Sequence, residues 1–308
     1  MKNDKWKFRL GILILVIVAA GFRIAVAHWL PNDAPDDGRI YAQIARNLLE
    51  QHVYSHETAA PFVPSLIRLP GYPLFLDAVY SVFGHTSNGA VRMVQALVDT
   101  ATCGLIALLA FYWQPDKSRK YASALAALVL AAVCPFTTIY AATILTEVPT
   151  NFLIMAMLVA VTLAFRSETT EATETGSKKL FTRAMLWWSV AGVIGGVAVL
   201  FRPDNGLFLA AVGITLVITG LWRALRRRVG FDSSLSAKER GLKNSKLLRT
   251  IAAGAVFSVA FALVLTPWTI RNWRVFHVFQ PLAPAHAEMP GEFVPHGYLL
   301  WLRTWVDE

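Results

Sequence analysis

Carboxylates just beyond the first long apolar run are the first residues of the chain that could do chemistry. Asp36 and Asp37 lie in PNDAPDDGRIYAQ, and Tyr41 follows Asp37 by four residues. A carboxylate at the end of a membrane span can act as a general base, or bind a divalent cation, where a lipid-borne substrate reaches it. The alternative is that these acids are turn and helix N-cap residues, and the residues themselves favour neither function.

Two short polar turns carry further charges at the ends of apolar runs. Glu147 lies in TILTEVPT, at the start of a predicted helix, where it is either a capping charge or the partner of an arginine or a metal ion. Arg202 and Asp204 flank a proline in LFRPDNG. This arginine either pairs with its neighbouring aspartate or binds an anionic lipid headgroup.

Two more arginines have sequence contexts that suit phosphate binding. Arg68 shortly precedes the helix-breaking PGYP run, and Arg271 lies among tryptophans in TPWTIRNWRVF. A guanidinium binds phosphate through two parallel hydrogen bonds, which a lysine cannot do. The same residues also anchor membrane proteins that catalyse nothing, so both interpretations stay open. Arg23 and Asp99 lie inside apolar runs and are candidates because a charge in hydrocarbon is costly.

The long apolar runs determine which elements must position these residues. The chain has 308 residues, of which 55% are hydrophobic and 16% are charged, against about 25% charged in average soluble domains. Runs of this length cross the ~30 Å hydrocarbon core of a bilayer as helices, which predicts an all-α integral membrane protein with about seven transmembrane helices. The predicted spans lie near residues 8–30, 91–113, 122–140, 148–165, 184–200, 207–222 and 251–267.

The distribution of basic residues predicts the orientation of these spans. Of the 29 Lys and Arg, 20 lie in the segments 1–9, 114–121, 166–183 and 223–249, and these include every Lys. By the positive-inside rule these segments are cytoplasmic, which puts the N-terminus inside and the C-terminus outside. This asymmetry accounts for the net charge of +9, so nucleic acid is not an expected partner.

The loop between the first two predicted spans, residues 31–90, contains two predicted interfacial helices. Ile40 to Leu49 has apolar residues at helical spacing, and Gly71 to Phe83 is too short to span a bilayer. A span there would also place the most basic loop outside, against the positive-inside rule. Every candidate residue named above, except the two charges inside apolar runs, then lies on the outer side.

Six fragments, in this order along the chain, resemble one family of membrane enzymes. They are DDGRIYAQIARNLLEQHVYS, RLPGYPLFLDAVYSVFG, VRMVQALVD, TEVP, FRPDNG and PWTIRNWRVF. Over residues 1–280 they resemble the N-terminal module of the GT-C superfamily of glycosyltransferases, specifically the protein O-mannosyltransferases and lipid A aminoarabinose transferases. The resemblance implies seven spans with interfacial helices in the first periplasmic loop, and it implies the bacterial cytoplasmic (inner) membrane as the location.

The resemblance also implies an activity and roles for individual residues. The family transfers a sugar, with inversion, from a polyprenyl-phosphate donor to a lipid, glycan or protein acceptor outside the membrane. Asp37 matches the catalytic acid that stands four residues before a tyrosine, and Asp36 is the second match. The arginines matched to the leaving phosphate are Arg68, Arg202 and Arg271. The residues matched to supporting or metal-linked roles are Glu147, Asp204 and Tyr41, with a divalent metal ion as the candidate cofactor.

Two alternatives compete with an enzyme. A non-catalytic carrier or flippase of lipid-linked sugars would line a route through the membrane with polar residues, of which the sequence offers few beyond Arg23 and Asp99. A partner-binding membrane subunit would leave the outer acids scattered. The enzyme hypothesis predicts that the outer acids and arginines converge on one cavity. Because relatives continue with further spans or an outside domain, residues 281–308 are expected to be a periplasmic tail that begins such a region.

Overall fold

In the computed structural model of the chain, residues 2–33, 37–84, 87–174, 182–229 and 237–282 are described, and they are predominantly helical. The helices are α1 (Lys2–Trp29), α2 (Asp37–Gln51), α3 (Gly71–Phe83), α4 (Asn88–Trp113), α5 (Lys120–Ala132), α6 (Pro135–Ala141), α7 (Glu147–Glu174), α8 (Arg183–Phe201), α9 (Gly206–Val229) and α10 (Ala237–Phe276). A turn of 3-10 helix connects α8 to α9.

Most of these helices are long and apolar enough to cross a membrane. Within the described residues six qualify, namely Trp6–Trp29, Asn88–Trp113, Glu147–Glu168, Arg183–Phe201, Pro203–Trp222 and Leu247–Phe276. A seventh candidate is the pair α5 and α6, which together are long enough but are bent by 55° at the short break between them. The expected all-helical architecture with about seven membrane-compatible helices is therefore confirmed. Helices α2 and α3 are the two helices expected in the first loop.

The long helices pack closely where small residues face a neighbour. A Cβ atom built on Gly196 of α8 would lie 2.8 Å from the Cβ of Val264 on α10, so only glycine permits this approach. Trp188 of α8 is fully buried at the centre of the cluster that α7, α8, α9 and α10 form. A second cluster, around Tyr72, joins α2 and α3 to α4.

The helix ends form two distinct ends of the bundle. At one end, Trp113 of α4 donates a hydrogen bond to the Thr162 hydroxyl of α7, and Trp188 donates to Glu168 of α7. At the other end, Asn32 after α1 pairs with Thr143 before α7. We call this second end the polar end. Helices α2 and α3 pack there, and it is where α1, α6, α8 and α10 finish and where α4, α7 and α9 begin.

A buried ion pair stabilises the break between α5 and α6. Arg23 of α1 is fully buried, and its Nε donates to the Asp99 carboxylate of α4 at 2.6 Å. Its Nη1 and Nη2 donate at 3.0 Å to the backbone carbonyls of Ala132 and Ala131, at the end of α5. One guanidinium thus joins the last two carbonyls of α5 to α1.

The threonines of α4 next to Asp99 form hydrogen bonds within their own helix. The Thr100 and Thr102 hydroxyls donate to the carbonyls of Ala96 and Val98, one turn earlier in the same helix. The two charges that the sequence placed inside apolar runs are therefore partners of each other.

Candidate functional site

The predicted catalytic acid forms an ion pair with a predicted phosphate ligand. Asp37 is the first residue of α2, and its Oδ1 accepts a hydrogen bond from Nη2 of Arg68 at 2.6 Å. The Asp37 side chain is 53% exposed and that of Arg68 is 24% exposed, so a ligand can reach both groups. Asp36, the second match, lies outside the described residues, as does the predicted tail from residue 283 onward.

A second ion pair joins the two short turns at the polar end. Nη1 of Arg202 donates to Oε1 of Glu147 at 2.8 Å, and its Nε donates to Oδ1 of Asp204 at 3.3 Å. The neighbouring-aspartate pairing therefore forms, but a second acid, 55 residues earlier in the chain, joins it. Burial lowers the pKa of the Arg202 guanidinium, and the two carboxylates outweigh that effect and raise it. Arg202 is thus a fixed cation at the helix ends.

Glu147 has one oxygen left over from this pairing. Its Oε2 is buried and has no hydrogen-bond partner among the described residues. Glu147 is also the first residue of α7, so its carboxylate lies at a helix N-terminus, where backbone N–H groups favour negative charge. The unpaired oxygen is a hydrogen-bond acceptor that a ligand hydroxyl could satisfy.

Tyr41 lies beside the Arg68 ion pair and is linked to the Arg202 ion pair through aromatic contacts. Its ring centroid is 5.8 Å from the guanidinium carbon of Arg68. Burial is the main cause that raises the pKa of the Tyr41 phenol. The guanidinium groups of Arg68 and Arg202 lower that pKa, whereas the carboxylates of Asp37 and Glu147 raise it. Because Tyr41 packs on Tyr72, and Tyr72 packs on Phe201, the residue before Arg202, the two ion pairs belong to a single polar cluster, which we call the Tyr41 cluster.

A buried aromatic layer supports the Tyr41 cluster from below. Tyr72 of α3 is fully buried, and its ring packs edge-on against Tyr41, with the centroids 5.1 Å apart. Its hydroxyl donates to Gln95 of α4 at 2.7 Å, and Gln95 in turn donates to the Thr143 carbonyl at 2.7 Å. Thr143 precedes Glu147 by four residues. This chain of contacts therefore fixes the segment that carries Glu147 relative to α2 and α3.

Close backbone contact also fixes the start of α3. A Cβ atom on Gly71 would lie 2.7 Å from the carbonyl oxygen of Leu200, near the end of α8, so the site tolerates only glycine. Arg68 lies three residues before Gly71, and Arg202 lies two residues after Leu200. The contact therefore sets the spacing between the two arginines of the Tyr41 cluster.

Arg271, the third predicted phosphate ligand, is largely occupied by contacts within the protein. Its guanidinium carbon lies 4.9 Å from the Trp268 ring, 5.3 Å from the Tyr54 ring and 5.0 Å from the Phe276 ring. Its Nη1 also donates to the Ser65 carbonyl at 2.9 Å. Arg271 therefore holds the loop between α2 and α3 against the end of α10, and in the described part of the chain it has no carboxylate partner.

Tyr54 is a residue that the sequence analysis missed. Its hydroxyl donates to the backbone carbonyl of Arg68 at 2.9 Å, and burial raises the pKa of this phenol well above its ordinary value. Its ring stacks edge-on with Trp268 at 5.1 Å. Tyr54 thus links Arg271 to Arg68. The available signal was slight, because a lone tyrosine in a polar loop has no distinctive spacing.

The described residues do not assemble a site for a divalent cation. Among them no group of three or more His, Cys, Asp or Glu side chains is placed to hold a metal ion. The Asp37 and Glu147 carboxylates, which are the natural ligands for such an ion, each face an arginine instead. No step proposed below uses a metal.

Two apolar grooves lie among the long helices, and neither contains the charged candidates. One, of about 670 Å³, is lined by α9 and α10 and includes Gly206, the residue after the turn that carries Asp204. The other, of about 590 Å³, is lined by α8 and α10. Neither groove is therefore the cavity on which the enzyme hypothesis expects the outer acids and arginines to converge, and that expectation stays a prediction.

The chain matches no protein-family model, and no curated protein matches it at a significant level. Function must therefore be inferred from the geometry of the polar end. There, three arginines and three carboxylates lie near the partly buried Tyr41 and the buried Tyr54. Such a cluster can bind a phosphate and can accept a proton from a hydroxyl beside it.

Proposed function

We propose that the chain is a glycosyltransferase that uses a polyprenyl-phosphate-linked sugar at the outer face of a bacterial cytoplasmic membrane. The observation that supports this most is the Tyr41 cluster, in which two arginine–carboxylate pairs from four segments surround one phenol at the end of membrane-compatible helices. Guanidinium groups suit a phosphate, and long apolar helices suit its polyprenyl chain. The distribution of basic residues favours an N-terminus in the cytoplasm and a polar end outside.

The reaction assigned to the cluster is a direct displacement at the anomeric carbon. Asp37 accepts the proton of an acceptor hydroxyl while the hydroxyl oxygen attacks that carbon. The bond between the anomeric carbon and the phosphate oxygen breaks, and its electron pair leaves with polyprenyl phosphate. Attack from the opposite face inverts the configuration. Arg68 and Arg202 stabilise the negative charge that develops on the leaving phosphate.

The resting ion pair between Asp37 and Arg68 is part of this mechanism. Before the donor binds, the carboxylate occupies the guanidinium that the phosphate needs. When the phosphate takes its place, Asp37 loses its partner and becomes free to accept a proton. Donor binding therefore activates the base, and an exposed pair can exchange in this way at small cost because such pairs contribute only about 0–1 kcal/mol.

Arg271 and Tyr54 act in this proposal as positioning residues. Both are engaged by aromatic rings and backbone carbonyls, so neither guanidinium nor phenol needs to touch the donor. Their contacts fix the position of the loop that carries Arg68 relative to the end of α10. Glu147 orients Arg202 from the other side.

Donor binding and turnover by the wild-type chain separate this proposal from a carrier. The chain is reconstituted in nanodiscs with a polyprenyl-phosphate sugar labelled in the sugar, and both bound label and released or transferred sugar are measured. We expect binding and turnover, and Arg68→Gln and Arg202→Gln should weaken binding about tenfold each, since a charge-assisted hydrogen bond contributes about 1.5–3 kcal/mol. Arg119→Gln, an exposed arginine at the opposite end, is the matched control.

Two results would contradict the proposal. Binding without turnover would favour a non-catalytic carrier, and absence of binding would favour a partner-binding subunit. Among the described residues, the two charges inside membrane-compatible helices, Arg23 and Asp99, are buried against each other.

A further inference from the structure

A second group of charges lies at the polar end, on the other side of α2 from the Tyr41 cluster. Arg92, in the first turn of α4, forms an ion pair with Asp33, which follows α1. The Arg92 side chain is 14% exposed and that of Asp33 is 59% exposed. Tyr80, near the end of α3, donates a hydrogen bond to Asn88 at 2.8 Å and closes one side of the group.

Arg46 of α2 is the residue of this group that the fold leaves incompletely bonded. Its Nε is buried and has no hydrogen-bond partner among the described residues. Its Nη1 reaches Oε1 of Gln43 at 3.5 Å, the limit of a hydrogen bond. In the described part of the chain no carboxylate pairs with it. A buried donor without an acceptor is unfavourable, so the fold keeps a group here that a ligand could satisfy.

The two arginines lie at one place in the fold, because the residues that precede them, Ala45 and Val91, pack in the same buried cluster as Tyr80. The Tyr80 hydroxyl also donates to Asn88, one turn before Arg92 in α4. Burial is the main cause that raises the pKa of the Tyr80 phenol. Arg46 and Arg92 both lower that pKa, and Asp33 raises it. Two positive charges and one exposed carboxylate therefore surround one phenol, and the group has a net positive charge.

This group is separate from the Tyr41 cluster. Arg46 follows Asp37 by nine residues on α2, and nine residues at about 100° each place the two side chains on opposite faces of the helix. Large apolar side chains at the ends of α1 and α3 are exposed, which suits a membrane interface. Phe83 at the end of α3 is 60% exposed, and Trp29 at the end of α1 is 76% exposed. The group therefore lies where lipid headgroups would be.

We propose that Arg46 and Arg92 form a phosphate-binding site on this face of α2, at the level of the lipid headgroups. The phosphate of an anionic lipid and free phosphate share the chemistry that the site recognises. The phosphate takes the place of Asp33 on Arg92 and accepts a hydrogen bond from the unpaired Nε of Arg46. The site does not depend on the proposed function, since none of its residues belongs to the Tyr41 cluster.

The test measures how ligands stabilise the purified chain in a neutral detergent. Tm is followed against increasing phosphatidylglycerol, diacylglycerol as a lipid without phosphate, and inorganic phosphate, and the concentration dependence gives an apparent Kd. We expect phosphatidylglycerol to raise Tm and diacylglycerol to have little effect. Arg46→Gln and Arg92→Gln should each weaken the apparent Kd for phosphatidylglycerol about tenfold, and Arg46→Lys should weaken it less.

Arg39→Gln is the matched control, because Arg39 is an exposed arginine on the same helix outside this group. It should bind phosphatidylglycerol like the wild type. Equal weakening in Arg39→Gln would overturn the proposal in favour of general attraction to headgroups, as would an equal effect of diacylglycerol or no effect of any phosphate. Stabilisation by inorganic phosphate that is lost in Arg46→Gln would support the site with free phosphate as its ligand. If Arg46→Gln fails to fold, Arg92→Gln provides the test of the site. Its loss leaves only the exposed carboxylate of Asp33 without a partner, which water can solvate.

Discussion

At the scale of single residues, Arg202 lies between two carboxylates that come from different turns. Glu147 and Asp204 both accept from its guanidinium, and Oε2 of Glu147 is buried without a partner. Removal of the arginine would leave two acids close together with no counter-charge. The arginine is therefore important for stability as well as for the proposed phosphate binding.

We predict that Arg202→Gln lowers the free energy of unfolding by about 1–3 kcal/mol, because it leaves a half-buried Glu147 unpaired. Arg202→Gln combined with Glu147→Gln should recover most of that loss, as expected for residues that interact directly. Unfolding by heat or denaturant in detergent measures both. Additive losses in the double variant would contradict a direct interaction.

A second prediction concerns Tyr54, whose hydroxyl donates to the Arg68 carbonyl. Tyr54→Phe removes one hydrogen bond and should weaken binding of polyprenyl phosphate about fivefold, since such a bond contributes about 1 kcal/mol. Tyr112→Phe, at the opposite end of the bundle, is the matched control and should bind normally. Normal binding by Tyr54→Phe, with the expected small loss of stability, would show that Tyr54 does not position Arg68.

The raised pKa of Tyr41 leads to a prediction about alkaline pH. Unfolded tyrosines ionise near pH 10, and Tyr41 in the folded chain ionises above that value, mainly because it is buried. The unfolded state therefore loses its proton first, so the contribution of Tyr41 to stability falls as the pH rises through about 10. Denaturation between pH 8 and 11 should show a shallower fall for Tyr41→Phe than for the wild type. Identical slopes would contradict this.

The residue types of the Tyr41 cluster could be predicted from the sequence, but its geometry could not. Asp37, Arg68, Glu147 and Arg202 were all recognisable as charges next to apolar runs. Their pairing depends on contacts between distant segments, such as the 31 residues between Asp37 and Arg68. Local patterns do not encode such separations. The role of Arg271 also changed, because a guanidinium surrounded by aromatic rings looks the same in sequence as one exposed to solvent.

At the scale of elements, the break between α5 and α6 is the feature that sequence patterns obscured. Residues 122–140 form one apolar run, which predicts one span. Pro135 begins α6 and lacks an N–H, and a residue before proline is disfavoured in helical conformation, so the helix breaks there. Pro135 could therefore have been recognised in the sequence as a helix breaker. The residue that binds the end of the broken helix, Arg23, lies more than 100 residues earlier and could not.

We therefore predict that Arg23→Met lowers the free energy of unfolding by about 3–5 kcal/mol, because Asp99 is left charged and buried without its partner. Arg23→Met combined with Asp99→Leu should recover part of this loss, though not the hydrogen bonds to the end of α5. Unfolding in detergent compares the three chains. A single variant as stable as the wild type would show that the pair is not needed.

At the scale of the whole molecule, the charges divide between the two ends as the positive-inside rule requires. Lys120 and Arg119 lie where α4 ends and α5 begins, and the Tyr41 cluster lies at the opposite end. The helices alternate in direction, so one assignment of inside and outside applies to all of them. The number of spans could be predicted from hydropathy and charge alone, because both depend on composition and not on contacts between distant segments.

This orientation predicts the labelling of single cysteines in intact cells. In a chain whose Cys103 and Cys134 are replaced by alanine, Ser81→Cys on α3 should react with a membrane-impermeant maleimide from outside. Ser118→Cys, an exposed residue between α4 and α5, should react only after the membrane is permeabilised. The reverse pattern would place the polar end in the cytoplasm and remove the proposed outer location of the site.

Turnover of a polyprenyl-phosphate sugar by the wild-type chain and by Asp37→Asn, in nanodiscs, tests the central claim most directly. General base catalysis contributes about 10²–10⁴-fold, so Asp37→Asn should lose at least about 100-fold in rate while it still binds the donor. Asp77→Asn is the matched control, because Asp77 is an acid of α3 outside the Tyr41 cluster. This variant should turn over the donor at the wild-type rate, with or without EDTA. Equal turnover by Asp37→Asn and the wild type would contradict the account of this residue as the base.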